Sequence, residues 1–236
     1  MKKNEKENLN EMSSWYIDQQ LDFDKILINY RFEKLKKFFI GEKCLELGPA
    51  EGEMTKNIVN EFKSVTVVDA ADDLLNKIPN YNNLKKINSL FEEFNTEEKF
   101  DTIIIDHVLE HVDDPIWLLK MSSSLLSDNG RILIGVPNAN SIHRLVAVKM
   151  NILNDQCDLN ERDLTVGHRR VYTKETMQKD IFESGLKIIE SGGIFFKPLS
   201  NSQIQKNWTN EMIEGFYKLG DDFQDFSAEL YVICSN

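Results

Sequence analysis

The clearest chemical pattern in the chain is a glycine-containing turn followed by a single acid. Glu46, Gly48, Ala50 and Gly52 alternate along the segment KCLELGPAEG, and Asp69 ends the next apolar run, VTVV. Glycine adds no Cβ and tolerates positive φ, and the start of a helix offers N–H groups to an anionic group. In dinucleotide-binding folds, an acid at the tip of the second strand accepts hydrogen bonds from ribose hydroxyls. The two features together predict a nucleotide-type site.

The spacing within the turn favours one class of nucleotide-binding fold. The turn reads E-x-G-x-A-x-G, which is not G-x-G-x-x-G. It resembles the first motif of the class I S-adenosylmethionine-dependent methyltransferases, acid-x-Gly-x-Gly-x-Gly, with Ala50 at the middle glycine. A second run, FDTIIIDHVLEHVDDP at residues 100–115, resembles the fourth-strand segment of the same family. The resemblance covers residues 41–137 and, more loosely, 165–198, and it implies S-adenosylmethionine as the cofactor.

The resemblance also implies which residues contact the cofactor, because ligands of such sheets lie at the carboxyl ends of the strands. Asp69 is expected at the ribose. Leu90 occupies the position where the family usually has an aspartate for the adenine amino group, so backbone groups and apolar packing are expected to hold the adenine. The full set of expected cofactor-binding residues is Glu46, Gly48, Ala50, Gly52, Asp69, Ala70, Leu90, Phe91, Asp106 and His107.

The four histidines are the natural candidates for removing a proton from a methyl acceptor. His168 lies in HRRVYT, which is similar to a segment of the ubiquinone-biosynthesis O-methyltransferases, and His143 also lies in the second half of the chain. We interpret both as candidate catalytic groups, with a solvated basic loop or a helix cap as the alternative for His168. His111 is expected to be structural, and His107 to border the methionine part of the cofactor.

Arginine side chains suit carboxylate or phosphate groups because their planar forks form paired hydrogen bonds. Arg144, Arg169 and Arg170 are therefore candidate acceptor-binding residues, together with Tyr30 and Arg31 of the N-terminal helix. The alternative for the last two is a solvated arginine and a core tyrosine. No set of histidines and carboxylates shows the spacing of metal ligands, so no metal is expected.

The elements that must position these residues follow from apolar periodicity. Strand-like runs alternate with helical patterns, which predicts an α/β fold of the doubly wound, Rossmann-like type. We expect a mostly parallel seven-stranded sheet with an antiparallel last strand, N-terminal helices, and helical insertions over the acceptor pocket. Residues 1–236 are interpreted as a single methyltransferase domain, with 1–40 as a helical cap, 41–137 as the cofactor-binding half and 138–236 as the acceptor-binding half.

Several local expectations accompany this fold. Residues 1–12 are expected to be disordered, and a helix is predicted from Trp15 to Gly41. Leu153 to Gly167 is expected to be irregular, and the last strand is predicted over Phe226 to Cys234. The aromatic residues of the C-terminal part are expected to pack in the core; they are Trp208, Phe216, Tyr217 and Phe223.

Composition excludes several classes of function. The formal net charge is −11, so the chain lacks the overall electrostatic attraction that drives binding to nucleic acids. No run approaches the roughly 20 apolar residues of a membrane span, and the N-terminus does not have the pattern of a signal peptide. Three widely spaced cysteines indicate reduced thiols and a cytoplasmic location. The oligomeric state is not legible from the sequence.

These observations predict an S-adenosylmethionine-dependent methyltransferase that acts on an oxygen or nitrogen of a small polar acceptor. A sugar, a nucleotide sugar or a biosynthetic intermediate is favoured over a protein or a nucleic acid. The first alternative is a non-catalytic protein that binds S-adenosylmethionine. The second is an NAD(P)-dependent oxidoreductase or epimerase, which the spacing of the glycines disfavours.

Overall fold

A computed structural model of the protein describes residues 22–236. One seven-stranded sheet organises this part of the chain, with the strand order β3-β2-β1-β4-β5-β7-β6. The first five strands pair in parallel, and β7 is antiparallel to both β5 and β6. This arrangement confirms the predicted Rossmann-like fold. The predicted disorder of residues 1–12 and the helix start at Trp15 lie outside the described residues.

The bounds of the elements follow the sequence patterns closely. The strands are β1 (Lys43–Leu47), β2 (Ser64–Asp69), β3 (Leu84–Asn88), β4 (Phe100–Asp106), β5 (Leu126–Pro137), β6 (Lys187–Ile194) and β7 (Glu229–Ser235). The helices are α1 (Asp22–Lys36), α2 (Thr55–Ile58), α3 (Asp72–Leu75), α4 (Pro115–Ser124), α5 (Ile142–Lys149), α6 (Glu161–Thr165), α7 (Lys174–Ser184), α8 (Asn201–Asn207) and α9 (Asn210–Leu219). A 3₁₀ turn covers Gln224–Phe226.

The central strands are apolar because helices and loops cover both faces of the sheet. In β4, Ile103, Ile104 and Ile105 are all fully buried, and they pair in register with β1 on one side and β5 on the other. Leu45 of β1 lies opposite Ile103, and its side chain is also fully buried. The continuous β-branched run of β4 therefore forms the middle of the core, as the sequence predicts.

Helix ends also follow from local chemistry. The Asp114 side chain accepts a hydrogen bond from the Trp117 N–H at the start of α4. Thr173 and Thr176 form a capping box at the start of α7, and Gly185 ends that helix with a φ of 88°. Caps of this kind satisfy backbone groups that have no partner within the helix.

Three stretches differ from the predictions. The first helix ends at Lys36 and not at Gly41. The segment expected to be irregular contains α6, because Asn160 and Asp163 exchange side-chain-to-backbone hydrogen bonds and nucleate a short helix. The last strand begins at Glu229 and not at Phe226, because the 3₁₀ turn occupies the residues before it. The capping interaction that starts α6 is one that apolar periodicity does not register.

The C-terminal aromatic residues form a second apolar cluster between α1, α9 and the outer strands. The rings of Trp208 and Phe216 stack with centroids 4.3 Å apart, and those of Tyr217 and Tyr30 stack at 3.9 Å. These contacts confirm the predicted core packing for three of the four aromatic residues. Phe223 is 47% exposed, so the prediction is wrong for that residue.

No helix within residues 22–236 combines the length and the apolar character needed to cross a bilayer.

The carboxyl end of β4 is packed closely against β5. Asp106 pairs in register with Gly135, and a Cβ added at Gly135 would lie 2.1 Å from the Asp106 Oδ1 atom. Any side chain at Gly135 would therefore push the Asp106 carboxylate away. The strand end keeps its geometry only because this neighbour has no side chain.

We expect Gly135→Ala to lower the free energy of unfolding by about 1–3 kcal/mol, the usual cost of overpacking a well-filled interior. Urea unfolding would measure this change. The matched control is Gly215→Ala in the exposed part of α9, where a new Cβ would meet nothing within 4 Å. Alanine is favoured over glycine in a helix by about 0.5–1 kcal/mol, so the control should be slightly stabilised. Equal effects of the two substitutions would contradict the close packing of Asp106.

Candidate functional site

A cavity of about 450 Å³ opens at the carboxyl ends of β1, β2 and β4. It extends beneath α1 and reaches α5, α6 and the start of β7. The predicted site residues that line it are Arg31, Glu46, Gly48, Ala50, Asp69, Ala70, Leu90, Phe91, Asp106, His107, His143, Arg144, His168 and Arg169. Three predicted site residues do not line the cavity: Gly52, Tyr30 and Arg170. Most of the predicted cofactor-binding residues and most of the predicted catalytic and acceptor-binding residues therefore line the same cavity.

The glycine turn explains why small residues are needed there. Gly48, Ala50 and Gly52 all have positive φ values, of 69°, 47° and 83°. A Cβ at Gly48 would lie 2.6 Å from the Val108 side chain, so that glycine allows close packing. Gly52 turns the chain beneath the cavity wall, where a Cβ would meet Ile78 at 2.8 Å. Gly52 therefore shapes the turn without facing the cavity.

A buried acid, Glu46, and a partly buried acid, Asp69, flank the turn. The Thr55 hydroxyl donates a hydrogen bond of 2.7 Å to Glu46, and burial raises the pKa of the Glu46 carboxyl to about 8. Asp69 accepts a hydrogen bond of 2.8 Å from the Ala71 N–H. Burial raises the pKa of Asp69 to about 6, although hydrogen bonds from backbone N–H groups oppose this change. Glu46 is consequently protonated at neutral pH, whereas Asp69 is ionised and can accept hydrogen bonds.

Leu90 and Phe91 follow β3 and form an apolar part of the cavity wall. Leu90 is 5% exposed, and Phe91 packs against the main core cluster. The neighbouring Ser89 hydroxyl donates to the Leu90 carbonyl at 2.9 Å, which fixes the local backbone. This surface can contact the face of a flat aromatic ring.

Arg31 joins three elements at the centre of the cavity. Its Nε donates to Asp106 Oδ2 at 2.7 Å and its Nη1 donates to Glu229 Oε1 at 2.8 Å. Burial raises the pKa of Glu229, but the charges of Arg31 and His107 outweigh this effect and lower it to about 2. Arg31 therefore holds the wall together, and the predicted role in binding an acceptor is secondary to these two ion pairs.

His107 has a strained backbone at the end of β4, with a φ of 56°. Its ring lies between two acids, with Nδ1 3.3 Å from Glu110 Oε1 and Nε2 3.5 Å from Glu229 Oε1. Burial and the charge of Arg31 lower its pKa, whereas Glu229 and Glu110 raise it, and the net change is upward. Strain of this kind is maintained by the surroundings and is typical of functional positions.

A second polar cluster lies beside His107. The possible ligand atoms of Glu110, His111 and His168 all lie within 4.8 Å of one another. Each histidine also has a polar partner outside the cluster: His168 Nδ1 lies 3.0 Å from Asp163 Oδ1, and His111 hydrogen-bonds the Gly167 backbone. Burial lowers the pKa of His111 to about 3, so the ring is neutral.

This cluster is a candidate cation site that the spacing of residues in the sequence does not indicate. Histidine nitrogens with a carboxylate suit Zn²⁺ and related cations, and a histidine ligand commonly donates its second N–H to a carboxylate. Sequence spacing misses the set because His168 comes from a distant loop. That loop is attached to the turn after β4 by a hydrogen bond of 2.8 Å from Arg169 N to the Glu110 carbonyl.

The structure also corrects the roles predicted for two arginines. The Arg170 guanidinium donates to the carbonyls of Leu109, Val112 and Asp113, so it satisfies the turn after β4 and does not face the cavity. Arg169 lines the cavity, but its Nε donates to the His111 carbonyl at 2.6 Å and it forms an ion pair with Asp113. Both side chains hold the loop that carries His168.

Arg144 is likewise occupied within the protein. It donates to Asp163 Oδ2 at 2.9 Å, to the Gln156 carbonyl at 2.8 Å and to the Asp158 carbonyl. It is 6% exposed, and these bonds fix the connection between α5 and α6. The predicted role of Arg144 in binding an acceptor anion is therefore not supported by its surroundings.

Tyr30 packs in the core and does not reach the cavity. Its ring stacks on Tyr217, and Lys34 forms an ion pair with Asp221. Tyr30 and Lys34 have the Tyr-x-x-x-Lys spacing of some oxidoreductases, and so do Tyr81 and Lys85. None of these four residues lines the cavity, so neither pair is placed to act on a ligand there.

His143 lines the cavity as predicted, but its environment is unsuited to a base. Burial, together with the charges of Lys197 and Arg144, lowers its pKa to about 2. Its Nδ1 is buried and has no hydrogen-bond partner within the described residues. His143 can accept a hydrogen bond from a ligand, but it is a weak general base at neutral pH.

Several cavity residues were not identified from the sequence. Lys197, Asn201, Glu229, Asp24 and Asn138 all line the cavity in its second half. For Lys197 a signal existed, because it is the charged residue within the otherwise apolar stretch Ile194 to Pro198. The other four lie at the ends of elements, where polar residues are common and no pattern marks them.

Comparisons with known proteins identify the type of domain. A sequence profile described as "Methyltransferase domain" matches residues 23–191. The ubiquinone biosynthesis O-methyltransferase of Vibrio parahaemolyticus is 23% identical over 205 residues, which cover 81% of this chain and 86% of that protein. The enzyme of the same name from Rhizobium etli is 24% identical over 209 residues, with coverages of 84% and 80%.

Solved structures share the fold. The N-methyltransferase NodS from Bradyrhizobium japonicum, in complex with S-adenosylhomocysteine, has a TM-score of 0.63 at 15% identity, covering 98% of this chain and 97% of that one. A methyltransferase dependent on S-adenosylmethionine from Archaeoglobus fulgidus has a TM-score of 0.61 at 18% identity, with coverages of 90% and 94%.

The Glu110, His111 and His168 cluster generates a prediction that needs no substrate. After treatment with a chelator, the protein should bind Co²⁺ and develop visible absorption from nitrogen and oxygen ligands. Glu110→Gln and His168→Asn should abolish the signal, and Asp163→Asn should weaken Co²⁺ binding roughly 10–100-fold through the histidine that it orients. The control Cys157→Ser removes the exposed thiol and should bind Co²⁺ normally. If the wild type gives no signal, the three side chains do not form a cation site.

Proposed function

Because the chain belongs to the methyltransferase-domain family, and is a class I S-adenosylmethionine-dependent methyltransferase, we propose that it methylates a small polar acceptor. One observation carries this proposal: a single cavity joins the strand ends of the sheet to a polar chamber beneath α1, α5 and α6. The cofactor occupies the first part and the acceptor the second. A volume of about 450 Å³ suits small molecules and not a protein surface.

The proposed cofactor position follows the strand ends. Asp69 accepts hydrogen bonds from the ribose hydroxyls, and the turn at Gly48 lets the ligand approach the backbone. Leu90 and Phe91 pack on the adenine. Asp106 and His107, at the end of β4, border the methionine part and the sulfonium. In this arrangement the anionic Asp106 lies near the positive sulfur and stabilises the bound cofactor.

Methyl transfer is an in-line displacement, so the acceptor must be held in line with the methyl group. His168 is proposed as the group that removes the acceptor proton, because Asp163 orients its ring and leaves Nε2 available. A cation held with Glu110 and His111 would use the same nitrogen, and would then promote ionisation of the acceptor in place of a free base. The Co²⁺ titration separates these two roles.

The acceptor class is part of the proposal. The relatives named as O-methyltransferases support an oxygen acceptor, and a nitrogen acceptor is the second possibility. A net charge of −11 disfavours nucleic acids, which leaves a sugar, a nucleotide sugar or another biosynthetic intermediate. Three free cysteines, two of them buried, support a reducing, cytoplasmic setting.

The cofactor assignment predicts a specific loss of binding. Asp69→Asn should weaken S-adenosylhomocysteine binding roughly 10–100-fold, because hydrogen bonds to a charged acceptor contribute about 1.5–3 kcal/mol. Calorimetric titration would measure the affinity. Asp73→Asn, an exposed neighbour in α3, is the matched control and should bind normally.

The same carboxyl predicts the pH dependence of cofactor affinity. The free protein's Asp69 has a pKa of about 6, so it is ionised above that value and protonated below it. A protonated carboxyl accepts ribose hydroxyls poorly, so the affinity should fall as the pH drops below about 6. A flat profile between pH 5 and pH 8 would contradict the ribose assignment.

If His168 removes the acceptor proton, its substitution should lower turnover without changing cofactor affinity. Once labelled-methyl screening provides an acceptor, His168→Asn should lower kcat about 10²- to 10⁴-fold and leave S-adenosylhomocysteine affinity unchanged. His143→Asn should mainly raise KM, because His143 is a weak base that can only accept a hydrogen bond. An unchanged kcat in His168→Asn would show that His168 is not the base.

A further inference from the structure

Lys197 differs from the other cationic side chains that line the cavity. It is partly buried, its Nζ donates to Asn201 Oδ1 at 2.7 Å, and it forms no ion pair with any described residue. The other cations of the wall are paired: Arg31 with Asp106 and Glu229, Arg144 with Asp163, Arg162 with Asp24, and Arg169 with Asp113. Within residues 22–236, the acids that could neutralise Lys197 are thus already used.

The Lys197 ammonium has N–H donors that its neighbours in the protein do not use. A lysine ammonium carries three N–H donors, and the side chain of Asn201 accepts from one of them. Asn201 is buried and is itself fixed by donating to Asp24. A partly buried ammonium that has no ion-pair partner is unfavourable, and an anionic ligand would supply that partner.

A hydrogen-bond acceptor lies beside this donor. His143 hydrogen-bonds the Lys197 backbone through one ring nitrogen, and its Nδ1 is buried without a partner in the described part of the chain. The Lys197 charge also acts on Glu229, so it faces the same chamber as Arg31 and His107. In the half of the cavity proposed for the methyl acceptor, Lys197 therefore provides N–H donors and His143 provides a nitrogen that can accept a hydrogen bond from a ligand.

We propose that Lys197 binds an anionic group of the acceptor, so that the substrate is a small molecule carrying a carboxylate or a phosphate. This inference rests on the proposed function. The sequence predicted that Arg144, Arg169 and Arg170 bind such an anion, but these arginines form hydrogen bonds within the protein. Lys197 has N–H donors left to bind it. The acceptor's anionic end lies at Lys197 and Asn201, and its reacting atom points toward His107 and His168.

Burial supports this role. It lowers the pKa of Lys197 to about 8, and the neighbouring charges of Glu229, Asp24, Arg162 and Arg144 partly offset one another. The ammonium is therefore charged at neutral pH but close to losing its proton. An anion bound beside it would restore the charged form.

The test compares two anionic probes with a neutral compound that has nearly the shape of one of them. Benzoate, benzamide and inorganic phosphate are titrated calorimetrically into the wild-type protein at constant ionic strength, with and without saturating S-adenosylhomocysteine. We expect at least one of the two anions to bind about tenfold or more tightly than neutral benzamide. A preference for benzoate assigns a carboxylate, and a preference for phosphate assigns a phosphorylated acceptor. No preference for either anion overturns the inference.

Variants locate the effect. Lys197→Met should remove the anion preference, and Lys197→Arg should retain part of it. Lys77→Met removes an exposed lysine after α3 and should bind the probes like the wild type. If Lys197→Met keeps the preference, the anion binds elsewhere and the inference is wrong.

Two further readouts separate misfolding and failure of the proposed function from failure of this inference. Lys197→Met should unfold at the same or a higher urea concentration than the wild type, because no ion pair is lost. All variants should bind S-adenosylhomocysteine with unchanged affinity. If the wild type does not bind S-adenosylhomocysteine, the proposed function fails, whereas normal binding of that compound without an anion preference overturns only the assignment of Lys197.

Discussion

The buried ion pairs of Arg31 are the interaction on which the rest of the site depends. They join α1 to the end of β4 through Asp106 and to the start of β7 through Glu229. The charges of Arg31, Asp106 and Glu229 are all buried, and removing one of them would leave the others without a partner. A buried charge without a partner is strongly destabilising. The position of α1 over the strand ends, and hence the enclosure of the cavity, follows from this requirement. Gly135 contributes by leaving room for the Asp106 carboxylate.

Much of the fold could be predicted from the sequence because its determinants are local. The apolar run of β4, the turn at Gly48 and the acid at Asp69 are each recognisable within a few residues. The partners of the charged side chains could not be predicted in this way. Arg144 and Arg170 looked like ligand-binding groups, but Arg144 hydrogen-bonds to carbonyls in the connection after α5 and Arg170 to carbonyls in the turn after β4.

The same limit applies to the chemistry of the acceptor half. His168 reaches Glu110 and His111 only because its loop docks on the turn after β4, and no spacing rule anticipates that contact. Lys197 follows the outermost strand of the sheet, far in sequence from His143, yet both line the same cavity. The first half of the cavity is therefore built from sequential strand ends, whereas the second half is assembled from separate insertions.

The position of β7 has a consequence for synthesis. It is the last of the seven strands in chain order, yet it inserts between β5 and β6, and it delivers Glu229 to an arginine that lies 198 residues earlier. During translation, β5 has an open edge and Arg31 lacks one of its two acids until β7 emerges. Non-local pairing of this kind slows folding and exposes strand edges to other chains. The nascent protein thus has a period in which its sheet is formed only in part and needs protection from aggregation.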